Sequence, residues 1–436
     1  MDTRNDESSV AARYRLGTHV LGPALAAFSY LLLLSARRDG VARLAFVARD
    51  GEFLLRVTEE VCRHLSWSPP ELDYLYLSRM STALASQQDF AADSLRAAWG
   101  IRAGQPNVRS LLGYFGLDAG AMTSVLASHG LSPETVDPTP AMLWSFARDP
   151  SVTRWIEGER GRQTHLLQCY LEQQGILGDG SCALVDIGWR GSIPWAVARA
   201  FPATCDRTPP RAYNLGYWHE AGEFPSDGAN IVGLLSDYRR ARNVVEAAPH
   251  YVAFLLEAVC RAEHGTVIGY RQEELGIIVP VLADGTVQRE AELTGEDWRQ
   301  PIRDGVLDYV RTQGNHYADE NLKEDIVRRD AQKRLLRLAF FPTEDEFTAT
   351  SCLVHTEGHS PDWSRPLIDP MRPSPFRSPR RWLAGLSSPW RSGYVAATGG
   401  TLLSIVFILL ESILIAVPVR IRRAAERLAR RWSKLA

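Results

Sequence analysis

The sequence predicts an α/β fold: a parallel-sheet core, a large helical insertion, and a C-terminal membrane-associated helix. Short apolar runs bounded by polar residues alternate with helical patterns, as buried parallel strands and their crossovers do. The alternation stops between residues 81 and 177, where only helical patterns occur, and then resumes. A long segment from Tyr394 to Val419 (YVAATGGTLLSIVFILLESILIAVPV) exceeds the ~20 apolar residues needed to cross ~30 Å of hydrocarbon.

The elements follow in order. The opening residues MDTRNDESS are polar and mixed in charge, unlike the basic start of a secretory signal. Leu16 to Ala36 is Leu-rich but contains His19 and Pro23 and runs directly into a strand-like segment, so it reads as a helix covering a sheet. Ala42 to Ala48 (ARLAFVA) is the first strand, followed by RDGE and a helix from Phe53 to about Leu65, apolar at 53, 54, 57, 61 and 65. Leu72 to Leu77 (LDYLYL) is the second strand and ends in Ser78-Arg79. Strand, helix and strand this close together form a βαβ unit, with the strands parallel and neighbouring.

Residues 1–80 are thus the first half of the core, and 81–177 the helical insertion. The second half, 178–285, holds a strand at Cys182–Val185 and a loop, DIGWRGS. It continues with a helix from Ile193 to Phe201, a strand from Arg211 to Trp218 and a helix from about Val244 to Cys260. TVIGYR and GIIVPVL, turning around Gln272 to Leu275, form a hairpin. Residues 286–359 are helical; 360–393 are a linker rich in Pro, Ser and Arg, expected to lie extended rather than to pack.

Residues 394–419 form the membrane-associated helix and 420–436 a basic tail, with seven basic residues against one acidic between Arg420 and Lys434. The charge bias places the tail in the cytoplasm. The N-terminal body also reads as cytoplasmic, and a single span cannot put both ends inside. A re-entrant or in-plane anchor resolves this, as does a second helix elsewhere; a buried core helix is the plainer alternative. Glu411, well inside the stretch, is expected to face a partner helix or to sit protonated.

The chain has 436 residues, 45% hydrophobic and 23% charged, which excludes a disordered chain, a coiled-coil rod and a collagen-like repeat. Its formal net charge of −2 provides no global field for nucleic acid, so no nucleic-acid partner is expected. The six cysteines are scattered, with no zinc-knuckle spacing, and suit a reducing compartment.

Two loops follow buried strands and open helices, where open parallel sheets bind ligands. One is Ala48-Arg49-Asp50-Gly51-Glu52; the other is Asp186-Ile187-Gly188-Trp189-Arg190-Gly191-Ser192. Glycines admit a ligand close to the backbone, and a helix N-terminus offers N–H donors to a phosphate. Ser192 adds a hydroxyl, Arg49 and Arg190 supply cationic forks, and Asp186 suits a ribose hydroxyl or a metal ion. Either loop alone reads as an ordinary βα turn. Two at one sheet edge, with Ser78-Arg79 at a third strand end, point to a site.

HExxH, GxSxG, GxxxxGK[ST], GxGxxG and Asp-x-Asp motifs are absent from the sequence. His355 and His359 have i, i+4 spacing, but Gly358 and Pro361 argue against a helix and hence against a metal site. His264 reads as a residue near a helix C-terminus. Glu257, on a buried helix face, is a candidate base.

LGPALAAFSYLLLLSARRDGVARLAFVARDGEFLL, YLYLSR, ALVDIGWRGSI and HYVAFLLEAVCRAEHGTVIGYR together resemble the second domain of HAD-superfamily-like hydrolase proteins of surface polysaccharide biosynthesis. The resemblance covers roughly residues 15 to 360. The aspartate-rich phosphatase domain that usually precedes this region in those proteins is not in the sequence, so hydrolase activity is not expected to carry over. The region also resembles type I phosphoribosyltransferases. Val185-Asp186 through Ser192 is similar to that family's loop for the donor 5-phosphate, and Arg49-Asp50-Gly51 holds the chain-order place of its pyrophosphate loop. The family's acidic pair is here Asp186 followed by Ile187, and the helical insertion is foreign to the minimal fold.

The resemblance implies a phosphoribosyl- or glycosyltransferase of cell-surface polysaccharide biosynthesis. It would act at the cytoplasmic face of a bacterial membrane on a phosphorylated sugar donor and a glycan acceptor, alongside a separate HAD phosphatase. Asp186, Arg49 and Asp50 would be catalytic, with Asp186 holding Mg²⁺. Gly51, Ser78, Arg79, Gly188, Trp189, Arg190, Gly191 and Ser192 would bind the donor. A HAD-like phosphohydrolase and a non-catalytic assembly subunit are the alternatives.

Overall fold

The computed structural model describes residues 7–87, 90, 107–178, 180–203, 208–218, 230–237, 239–283, 296–319, 321–350, 353–356, 364–368 and 375–417. The basic tail, part of the helical insertion, much of the linker and His359 lie outside the described residues.

Helix α1 spans Glu7–Asp39, with a π turn at Gly17–Leu21, and stops at Gly40, whose left-handed backbone (φ 69°) suits glycine. Strand β1 is Arg43–Val47, α2 Gly51–Cys62, β2 Glu71–Leu75 and α3 Arg79–Ala83. The insertion contributes α4 Val108–Tyr114, α5 Thr123–Ser128, α6 Pro140–Ala147 and α7 Pro150–Gln173. Then come β3 Cys182–Trp189, α8 Ser192–Ala200, β4 Arg211–Tyr217 and β5 Ile231–Asp237. Helices α9 Ala248–Tyr251 and α10 Ala253–Cys260 precede the hairpin β6 Val267–Gln272 and β7 Ile278–Leu282. The remainder is α11 Glu296–Gln313, α12 Glu324–Phe340, α13 Glu344–Thr350, β8 Val354–Thr356, β9 Ser364–Pro366, α14 Pro379–Gly385 and α15 Arg391–Ala416.

The main sheet has five strands in the order β2-β1-β3-β4-β5, every neighbouring pair parallel. The βαβ expectation therefore holds, and β3 pairs on the other side of β1. The strand order reverses between β1 and β3, and in such sheets a crevice opens outside the carboxyl ends at that switch.

Strand residues alternate between two cores. Leu44, Phe46, Val185, Ile187, Tyr213 and Leu215 face α1, α2, α10, α11 and α12. Ala45, Val47, Leu184 and Ala212 face α7, α8 and the hairpin. Helices α1 and α11 cross with their backbones in contact. A Cβ on Gly17 would stand 2.1 Å from the Ile302 carbonyl oxygen, and one on Gly305 2.3 Å from that of Tyr14. The insertion has its own core around Leu111, Leu126, Phe146 and Ile156. The end of α7 belongs instead to the sheet, through Leu167, Tyr170 and Leu171.

Five expectations need correction. DIGWRGS is not wholly a loop, because β3 continues through Trp189, paired with β4 as far as Tyr217. The helix over 244–260 is two helices, divided at Val252. The region 286–359 is not helical throughout, because Val354–Thr356 forms strand β8; β5, too, escaped the sequence reading. Parts of the 360–393 linker pack: Leu367 bonds the Leu353 carbonyl, and Trp390, 1% exposed, bonds the Leu367 carbonyl and lies against Phe347. The burial of one large indole outweighs the local proline content.

Helix α15 is broken at Gly400 (φ 63°). Before the break Tyr394 and Val395 are buried; beyond it Phe407, Ile408 and Ile415 pack on α9 and α12 while the opposite side is exposed. α15 is thus not a buried core helix, whereas α1, less apolar, is 89% buried over its most apolar window.

Candidate functional site at the strand ends

After β1 the chain turns through Ala48 and Arg49, whose peptide bond is cis, to Asp50 at the head of α2. Gly51 sits directly on β1: a Cβ there would meet the Phe46 backbone at 2.8 Å. Its lack of a side chain therefore serves helix–strand packing. Asp50 makes no side-chain cap bond to α2. The Arg49 carbonyl accepts from Ala262 N–H at 3.3 Å, tying this turn to the segment after α10.

Asp186 lies on β3, on the same face as Leu184, and is half-buried. Burial, then the nearby charge of Asp50, raises its carboxyl to about 7; backbone N–H groups of Gly188 and Ile187 and the Arg79 cation oppose the rise. Glu257 arrives from α10 on the other side of the sheet. Its carboxyl is raised by burial and Asp50 and restrained by Arg79 and Arg261. Both carboxylates thus respond to the same two charges, Asp50 and Arg79, so the ends of β1, β2 and β3 and helix α10 bring their charges within electrostatic reach of one another. Two carboxylates poised near neutrality with a third acidic group and a cation in electrostatic reach are suited to proton transfer and to holding hydroxyls.

The Trp189 indole N–H favours the charged form of Glu257, although its geometry falls short of a closed hydrogen bond. Trp189 has φ 72°, and its ring lies over Gly216, where a Cβ would come within 2.5 Å of it. His250 stacks on Trp218 with centroids 4.7 Å apart and approaches Trp189 at 6.5 Å. Asn214, opposite Asp186 on β4, is fully buried, and neither amide atom finds a partner among the described residues.

The other anticipated residues divide by role. Arg79 begins α3, is exposed, and its charge reaches both carboxylates. Ser78 is committed to structure: it caps α3 through Ser81 N–H and donates to the Val267 carbonyl at 2.5 Å. Gly188 (φ 95°) backs onto β4, where a Cβ would lie 2.5 Å from Asn214 Nδ2 and from the Gly216 carbonyl oxygen. Gly191 (φ 66°) precedes α8 and fits against Ile231 and Tyr217. Ser192 and Ile193 supply N–H groups at the start of α8, whereas Pro194 supplies none. Arg190 is half-exposed between β3 and α8.

His264 accepts or donates at Nε2 with the Tyr74 hydroxyl at 2.6 Å, and its Nδ1 pairs with the Gly265 carbonyl at 2.8 Å. Burial, with Asp50 and Glu52 contributing, holds the Tyr74 phenol protonated. The C-terminus of α10 is held by the guanidinium groups of Arg299 and Arg303 on α11, which donate to the Ala258, Val259 and Arg261 carbonyls.

An open hollow of about 760 Å³ is formed elsewhere, by Glu7, Tyr14, Asp304, Asp308 and Arg311 of α1 and α11. The carboxylates raised to near neutrality are at the strand ends, which makes that edge the better candidate. Sequence reasoning missed Arg261, Asn214, Trp218 and His250. The polar Asn214 inside the apolar strand RAYNLGYW was the available signal. No family model matches the chain, and no curated protein emerges as a relative.

Proposed function

We propose that the chain is a phosphoribosyl- or glycosyltransferase of surface polysaccharide synthesis that binds a phosphorylated sugar donor at the switch between β1 and β3. The reading rests on one observation above all: Asp186 and Glu257, both shifted toward neutrality, share the charges of Asp50 and Arg79. Asp186 holds sugar hydroxyls, while Arg79 and Arg49 face the diphosphate. The Ser192 and Ile193 N–H groups at the head of α8 receive the donor's terminal phosphate, in keeping with the likeness of VDIGWRGS to a donor-phosphate loop. The anomeric carbon–oxygen bond breaks, the diphosphate leaves, and the acceptor hydroxyl adds to the same carbon. Carboxylates around that carbon favour its developing positive charge, and Glu257 takes the acceptor proton.

Asp50 and Asp186 would hold Mg²⁺, because a divalent cation offsets both the burial of the Asp186 charge and the repulsion from Asp50 that lift its carboxyl. Among the described residues no three His, Cys, Asp or Glu side chains cluster into a metal cage. That suits a cation held by one or two carboxylates and the substrate's own phosphates. Mg²⁺ would supply neutralisation of the leaving diphosphate. A HAD-like phosphohydrolase needs an ionised aspartate as nucleophile, and a carboxyl raised to about 7 is poorly suited to that. The acceptor is a surface glycan, met at the cytoplasmic membrane face.

Calorimetry of the full chain with 5-phosphoribosyl pyrophosphate and with a nucleoside-diphosphate sugar, each with and without Mg²⁺, tests the reading. Mg²⁺-dependent binding of one of them is expected. Binding of neither removes the donor site, and phosphate release from simple monoesters supports a hydrolase instead.

A further inference from the structure

We propose that the outer face of α15 lies in the plane of an anionic membrane surface, with the α/β body outside the bilayer and the helix running along it rather than through it. The inference is independent of the transferase reading.

The 26-residue helix has the most apolar window of any described helix long enough to span a membrane, yet only 11% of that window is buried. Leu402, Val406, Leu409, Leu410, Ile413 and Leu414 are all exposed, Leu402 by 70%. Such a face belongs against lipid or another apolar surface.

The inner face decides the orientation. Ser404 is buried, Phe407 approaches Phe340 with centroids 5.9 Å apart, and Ile415 packs with Val244 and Ala247. The Tyr251 hydroxyl donates to Glu411 Oε2 at 3.1 Å. The helix is therefore clasped by α9 and α12 along its second half. If α15 crossed the bilayer in this arrangement, α12 would enter with it, and α12 carries Arg328, Arg329, Asp330, Lys333 and Arg334. Immersing that many charges is prohibitive. Lying in the interface, the helix buries its outer side and leaves the charged body in water.

The flanks select the occupant. Arg380, Arg381 and Arg391 are exposed before the apolar face, beside exposed Leu383 and Phe376. The sequence after the helix holds seven basic residues from Arg420 to Lys434. Helix α14 is fastened to α15 by the Trp382 indole, which donates to Thr398 Oγ1 at 2.7 Å. Cationic groups at both ends of an aliphatic face complement anionic headgroups. A second copy fits poorly, because pairing α15 with itself in either direction brings arginine-rich ends together, and the aliphatic strip lacks the polar rim typical of protein interfaces.

The full chain, carrying a C-terminal epitope tag, is added to sealed preformed vesicles of phosphatidylcholine with or without phosphatidylglycerol and floated on a density gradient. It should float with the anionic vesicles. The Leu409→Glu/Ile413→Glu variant should bind about tenfold less or not at all, with an unchanged melting profile. Protease added outside should remove the tag from intact vesicles. Four results would overturn the proposal: no flotation of the wild type; equal flotation of the variant; a tag shielded until detergent is added, which means a spanning helix; or a lipid-free dimer that the double variant dissociates and vesicles do not displace.

Discussion

Burial, and after it the negative charge of nearby Asp50, holds the Asp186 carboxyl partly protonated near neutrality. One residue closes the β1 turn and the other sits on β3, so the strand order that brings those two strands together also creates the repulsion. Crowded carboxylates of this kind store a cost in the folded state that a ligand can relieve.

That cost has a definite pH signature. The folded carboxyl of Asp186 is raised to about 7 from 3.8, so between those values the folded protein binds more protons than the unfolded chain. Its contribution to stability is fully present below about pH 4 and is lost as pH rises through 7. Asp186→Asn removes the charge while keeping the shape. The variant should melt above the wild type at pH 8, by roughly 1–3 kcal/mol after allowing for partial solvation, and alongside it at pH 4. Equal melting at pH 8 would show that the Asp186 carboxyl is not raised by burial and Asp50. Millimolar Mg²⁺ should narrow the gap at pH 8 by stabilising only the wild type.

Glu257 offers a second test. Glu257→Gln keeps the volume but cannot accept a proton, so acceptor-dependent release of diphosphate should fall by about 10²-fold. Calorimetric affinity for the donor should change little. A tenfold loss of donor affinity with unchanged turnover of bound donor would make Glu257 a binding group instead of a base.

A third expectation concerns packing beneath the site. Gly188 has φ 95° and would place a Cβ 2.5 Å from Asn214 Nδ2 and the Gly216 carbonyl. Gly188→Ala should therefore cost about 2–4 kcal/mol in urea unfolding, from strain and overpacking combined. Gly40 also has a left-handed backbone (φ 69°) but nothing within 4 Å, so Gly40→Ala should cost about 1 kcal/mol. If the two variants unfold alike, the close approach of β3 to β4 is not what the glycine provides.

These glycines also show where the sequence was legible. The apolar runs ARLAFVA and LDYLYL and the helix between them announced β1, α2 and β2, because buried parallel strands have a compositional signature that needs no partner to be read. In DIGWRGS the same glycines that suggested a loop instead permit a strand to lie tight on its neighbour, which depends on Asn214 and Gly216 some thirty positions away. Trp390 was hidden for the same reason: its surroundings read as linker, and only the distant Phe347 reveals its pocket. Asp186, Asp50 and Arg79 were nominated from their places at strand ends, and the sheet brings their charges together. Arg261, Trp218 and His250 carried no local pattern that marked them.

The buried Trp390 separates two truncations that the sequence alone would treat as equivalent. Ending the chain after Asp369 removes Trp390 and Tyr394, both at most 1% exposed, and opens a hole beside Phe347. Loss of one such indole costs about 3–5 kcal/mol, enough to bring a domain of ordinary stability close to unfolding. Ending it after Gly399, just before the break at Gly400, keeps Trp390, Tyr394 and the Trp382–Thr398 bond. That shorter cut removes the exposed aliphatic strip and uncovers only the α9 and α12 surfaces that Phe407, Ile408 and Ile415 had covered. The Gly399 form should stay folded, melt within a few degrees of the full chain and no longer associate with vesicles. The Asp369 form should melt far lower or aggregate. Thermal melts of both settle the point, since coincident curves would mean that Trp390 contributes nothing to the core it occupies.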